Sequence, residues 1–170
     1  PDEVKERAEK LLQDALPHYL TLLHDPDPQI RLSVVELLRL YAKEINTVEP
    51  ILKALIQNDE EPAVRGLCLM TLASLWLSGN ESGKLSAEQV LYTANLMRDD
   101  TQPLGVQERA AEILMRADAQ RWVDEALAMF YRMMRADDET LHSIGHLGFL
   151  NMLLTVVQVL SAYPDKALEW

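Results

Sequence analysis

The chain of 170 residues is 48% hydrophobic and 25% charged, which suits one compact domain or one array of small repeats, not two independent domains. Six Gly and eight Pro exclude a collagen-like or low-complexity chain, and a Leu-rich composition with seven Phe and Tyr and three Trp is poor material for a β-sandwich. The 16 basic and 27 acidic side chains give a net charge of −11, spread over both halves, which repels phosphate backbones and anionic membrane and steers in basic proteins or peptides.

Pro1-Asp2-Glu3 has neither the basic nor the apolar region of a secretory leader, and the missing initiator Met predicts a fragment or a processed chain. A first helix is expected over about 2–23, ending in the turn His24-Asp25-Pro26-Asp27-Pro28. Asp27 before Pro28 reads as an N-cap followed by proline at the first helical position, where a missing N–H costs nothing. Asp27 also stands four residues before Arg31, the favourable order for an ion pair along a helix. The helix so opened, about 28–44, carries Ile30, Val34, Leu37, Leu38 and Tyr41 at 3.6-residue spacing, the pattern of a buried stripe.

A helix over about 47–57 is expected next, capped by Thr47 and holding Pro50 in its first turn. The turn Asn58-Asp59-Glu60-Glu61-Pro62 then repeats the first, with Glu61 as cap and Glu61–Arg65 as the ion pair, and opens a helix over about 62–78. Residues 78–84, with two glycines, read as a flexible loop open to proteolytic nicking. Ser86 and Gln89 have the capping-box spacing and open a helix over about 86–98. The third turn, Asp99-Asp100-Thr101-Gln102-Pro103, is lengthened around Gly105 and leads to a helix over about 105–117. Helices over about 119–136 and 138–162 follow, with Asp137-Asp138-Glu139 as a degenerate fourth turn lacking the proline.

The turn prolines stand at 28, 62 and 103, intervals of 34 and 41. At the 34-residue offset Ile30 corresponds to Val64, Arg31 to Arg65, Val34 to Cys68, Leu38 to Leu72 and Tyr41 to Leu75. The segments Asp25-Pro-Asp-Pro-Gln-Ile-Arg31 and Asp59-Glu-Glu-Pro-Ala-Val-Arg65 resemble the turn of the HEAT repeat, best over about 11–77, fairly over 86–117, and beyond 119 only as a helical pair. The resemblance implies an all-α fold, a right-handed α-solenoid of about four HEAT-like helical hairpins in one domain, with repeats at about 2–44, 47–78, 86–117 and 119–162.

A solenoid of this type exposes its second helices on a concave surface, which makes Ser33, Glu36, Arg39, Leu67, Met70 and Ser74 the candidate contact residues. Leu67 and Met70 replace Ser33 and Glu36 of the preceding repeat and predict a partly exposed apolar spot, although core packing explains them as well. The acidic turns, Asp25 and Asp27, Asp59, Glu60 and Glu61, Asp99 and Asp100, Asp137, Asp138 and Glu139, would line one edge as a docking stripe for a basic partner. Helix capping and the helix dipole account for the same acids without any partner.

The helix 138–162 is apolar on nearly every face, which predicts further chain, central packing, or a homodimer or partner interface; the run 147–160 is too short to span a bilayer. His142 and His146 share a helix face near Glu139, but two imidazoles do not make a zinc site, and no metal is expected. The single cysteine, Cys68, excludes an intrachain disulfide, falls on the buried stripe as an inert thiol, and suits a reducing cytoplasm. No phosphate-binding glycine loop or Gly-x-Ser-x-Gly elbow is present, and all paired carboxylates are expected in solvated turns.

The resulting expectation is a non-catalytic, cytoplasmic protein-interaction scaffold without cofactor, with a protein partner that has basic segments. Some small bacterial HEAT-like proteins are immunity factors, and an acidic one would suit a basic toxin. HEAT-like DNA glycosylases and bilin lyases are the enzyme alternatives, and the acidity here argues against the basic DNA-binding face that the first requires.

Overall fold

The computed structural model describes residues 2–80, 82–135, 153–154, 156–158 and 160–167. Seven helices follow one another: α1 (Asp2–Leu22), α2 (Pro28–Leu37), α3 (Ile45–Asn58), α4 (Pro62–Gly79), α5 (Ala87–Arg98), α6 (Leu104–Ala117) and α7 (Ala119–Met134). A one-turn helix, Pro164–Ala167, follows further on, and no strand occurs among the described residues. Helices α1 and α2, α3 and α4, and α5 and α6 pack as hairpins; α4 lies between α2 and α6, and α7 packs on α6. This is an all-α solenoid. The second helix expected at 138–162 falls largely outside the described residues, as do Asp137, Asp138, Glu139, His142 and His146. No helix among the described residues is long and apolar enough to cross a membrane.

The helix starts follow local chemistry. The Asp27 carboxylate accepts the Gln29 N–H at 2.8 Å with Pro28 at the first helical position, and Glu61, a longer and poorer cap, accepts from Ala63 at 3.4 Å. Ser86 and Gln89 close the expected capping box at 3.2 and 2.8 Å.

Three local expectations are corrected. The helix expected over 28–44 stops at Leu37 and continues as 3₁₀ turns, Leu38–Leu40 and Ala42–Glu44. Tyr41 sits between them, buried edge-on against Tyr19, and its hydroxyl donates to the Leu12 carbonyl of α1 at 2.7 Å, an anchor that a continued α-helix would rotate away. The buried stripe is also turned by one position. Arg31, Val34, Val35, Leu38 and Tyr41 are inside, while Ile30 is 37% exposed and Leu37 40% exposed, because α4 packs against the side that carries Arg31 and Val35. Finally, Thr47 caps nothing: the second 3₁₀ turn feeds straight into α3 at Ile45, so Thr47 and Pro50 both lie inside the helix.

The arginines of the turns bind between repeats, not along their own helices. Arg31 ignores Asp27 and grips the Asp59 carboxylate of the next turn through Nε and Nη2 at 3.0 and 2.9 Å, while Nη1 donates to the carbonyls of Asp25 and Pro26. Arg65 ignores Glu61, donating from Nε to the Ile56 carbonyl at 2.7 Å and from Nη2 to Gln102 of the third turn at 2.5 Å. A guanidinium that finds a planar acceptor pair and buried carbonyls gains more than it would from one solvated carboxylate on its own helix. In the third turn Pro103 occupies the N-cap position itself, so Gln107 stands where Arg31 and Arg65 stand, and the arginine comes from the other side: Arg132 of α7 donates to both Gln107 and Asp100. Asp25, Asp59 and Asp99 mark equivalent positions, each accepting the N–H two residues on, at 2.8, 2.9 and 2.9 Å.

Candidate functional site: a groove along the second helices

Helices α2, α4 and α6 touch in a row, whereas α1, α3 and α5 make at most marginal contact with one another. The second helices therefore form one continuous face. Two adjoining hollows run along it. One, of about 440 Å³, lies between Glu36, Leu67, Gly66 and Glu108; the other, of about 880 Å³, lies between Ser74, Leu77, Ile113 and Trp122. Arg39 and Met70 border both, which makes them one groove.

Five of the six residues expected on the concave face border this groove: Glu36, Arg39, Leu67, Met70 and Ser74. Leu67 and Met70 are half-buried, apolar side chains that the hairpins leave partly open. Gly66 and Gly105, both without a side chain, deepen the hollow beside them. Ser33 is exposed one turn earlier and turns its hydroxyl to the Gln29 carbonyl of its own helix at 2.8 Å.

The acidic turns stand apart from the groove, and much of their charge is engaged. Asp59 has only 4% of its side chain exposed, against Arg31. Asp27 and Glu61 cap helices, and Asp99 accepts from the Thr101 amide and hydroxyl and from Gln102, contacts that hold its carboxyl below the usual carboxylate range. Glu60 and Asp100 are the open members; Asp100 takes a hydrogen bond from Arg132.

Not every paired carboxylate lies in a turn, contrary to expectation. Glu108 and Glu112 lie on α6, with Arg109 between them and Arg116 beyond. Arg109 Nη1 meets Glu112 at 3.2 Å, Arg116 meets it at 2.5 Å, and Arg109 Nε stands 3.4 Å from Glu108. Glu108 is 1% exposed with neither oxygen hydrogen-bonded among the described residues. Burial pushes its carboxyl up to about 7, and Arg109 only partly opposes this. The i,i+4 series Glu108, Glu112, Arg116, running down one face with Gly105, is the sequence signal that would have found this wall.

Charge is distributed unevenly along the groove. Among the described residues, Arg39, Lys84, Arg116 and Arg121 stand around the larger hollow with one acid, Asp118, whose carboxylate caps α7 by accepting the Arg121 N–H at 3.2 Å. Cys68 is fully buried in the core, and burial pushes its thiol far above the ordinary value, so it is not nucleophilic. Among the described residues no three His, Cys, Asp or Glu side chains come together as a metal site.

The first hairpin, with its capped Asp-Pro turn and buried Arg31, coincides with a known family: residues 15–45 match the HEAT repeat. No curated protein and no solved structure matches the chain. HEAT repeats are commonly protein-interaction scaffolds. The matched segment runs from the second half of α1 through α2 and both 3₁₀ turns, so it includes Arg39 and Glu36 at the rim of the groove. The later hairpins open with related turns outside the matched segment, with Glu61 as the weaker cap and Pro103 at the cap position.

Proposed function

We propose that the protein is a non-catalytic interaction module that holds a segment of a partner protein in the groove along α2, α4 and α6. The observation that carries this reading is the half-open pair Leu67 and Met70 bordering two adjoining hollows, on a helix packed on both sides. Apolar anchors in a preformed depression supply affinity without ordering cost, and charged walls set orientation and register. Among the described residues no histidine borders the groove, and its serines, Ser74 and Ser78, are hydrogen-bonded to no base, which favours binding over acyl chemistry.

The test is affinity capture from native lysate with the wild type, a Leu67→Asp/Met70→Glu variant and a Glu60→Lys/Asp100→Lys variant. Proteins held by the wild type should be lost by the groove variant and kept by the edge variant. Retention by the groove variant would sink the reading, and loss by the edge variant alone would move the interface to the acidic turns.

A further inference from the structure

The larger hollow carries an excess of positive charge that the rest of this acidic chain does not lead one to expect. Its four cations come from four separate segments: Arg39 from the 3₁₀ turn after α2, Lys84 from the loop after α4, Arg116 from the last turn of α6, and Arg121 from the first turn of α7. Arg116 pairs closely with Glu112, and Arg121 feels the Glu125 carboxylate one turn along α7 without a close ion pair. Arg39 makes one long contact, 3.4 Å to the Thr71 hydroxyl, and Arg121 lies over the Trp122 ring at 4.8 Å.

Helix electrostatics explains part of the set and not the rest. A cation in the last turn of α6 complements the helix dipole, but Arg121 sits at the positive end of α7, where a cation is disfavoured. Trp122 beside it is nearly fully buried, and its indole N–H has no acceptor among the described residues. Exposed guanidinium groups around an apolar hollow suit carboxylates next to apolar side chains, whereas the Trp122 N–H is too deeply buried to reach a ligand.

We propose that this part of the groove receives an acidic segment of the partner protein, one that presents Asp or Glu side chains to Arg39 and Arg121 while an adjacent apolar side chain fills the hollow over Met70 and Leu77. The inference rests on the groove being the binding surface and adds the charge of the occupant. It reverses the basic partner that net charge alone suggests, because association is governed by the field at the contact surface and not by the total.

The experiment is selection of a displayed random-peptide library on the full chain, followed by affinity measurement of the recovered peptides at 50 and 300 mM salt. Recovered peptides should be rich in Asp and Glu beside Leu, Phe or Trp, weaken with salt, and bind Arg39→Glu/Arg121→Glu at least tenfold more weakly. Both arginines are exposed, and their replacement gives up only the long Arg39 contact with the Thr71 hydroxyl and the Arg121 contact with the Trp122 ring. Neutral or basic peptides that depend on Leu67 and Met70 but not on the arginines would overturn the charge assignment and leave the groove reading standing. Peptides insensitive to both sets would overturn both. An oligonucleotide probe that binds with the same arginine dependence and outcompetes the peptides would also overturn it.

Discussion

Arg31 and Asp59 meet with 6% and 4% of their side chains exposed, each also bonded to backbone, so the pair joins two repeats at a nearly dry junction. Removing one member strands the other charge, and Asp59→Ala should cost about 3 kcal/mol in denaturant unfolding, whereas Glu60→Ala, on a solvated side chain, should change stability by less than about 0.5 kcal/mol. Equal effects of the two substitutions would refute the junction. Glu108 sets the opposite problem. Its carboxyl is raised from 4.5 to about 7, so between these values the folded chain holds more protons than the unfolded one and stability falls as pH rises. At about 1.4 kcal/mol per unit, the burden is of the order of 3 kcal/mol above pH 7 and absent below pH 4. Glu108→Gln should therefore match the wild type near pH 4 and exceed it by up to that amount at pH 8. A pH-independent difference would show that burial does not raise this carboxyl.

At the scale of elements, the helices divide into those set by their ends and those set by their neighbours. The capping box places the start of α5 from within, so Ser86→Ala should lower stability by about 1 kcal/mol, read by thermal or denaturant unfolding. Helix α2, by contrast, ends where Tyr41 must reach α1, and its inward face is chosen by α4. Gly66 shows how binding and stability compete within one helix. A Cβ there would meet the Arg109 Cγ at 3.9 Å, an ordinary contact, so Gly66→Ala should stabilise α4 by about 0.5–1 kcal/mol. The same methyl would partly fill the smaller hollow, so the variant should bind the captured partner more weakly than the wild type does. A gain in both would show that the hollow is not used.

For the molecule as a whole, α4 is the keystone: it packs on α3, α2 and α6 and contributes Val64, Cys68, Leu69, Leu72, Leu75 and Trp76 to the core. In a stacked array stability is a sum over neighbours, so a central helix opens last. Amide hydrogen exchange should be slowest in α4 and faster in α1, which packs chiefly on α2. Equal protection throughout would point to one all-or-none unit. Stacking also sorts charge by edge. The acids stand at the starts of α2 and α4, away from the hollows, and the cations after α2, after α4 and at the end of α6 stand at the opposite helix ends, around the larger hollow.

The amino-acid order alone determined the starts at Asp27-Pro28, Glu61-Pro62 and Ser86 with Gln89, which act within a few residues, and the 34-residue spacing repeats the first of them, so the solenoid class was legible, while the cap expected at Thr47 was not the start of its helix. Tertiary structure alone decided that Arg31 reaches Asp59 instead of Asp27, that Val35 faces inward and Ile30 outward, that Glu108 is buried, and that Arg39, Lys84, Arg116 and Arg121 converge. The physical reason is range. Caps and prolines act on the backbone beside them, whereas burial, pairing of charges and the sign of a surface depend on which helices are brought side by side.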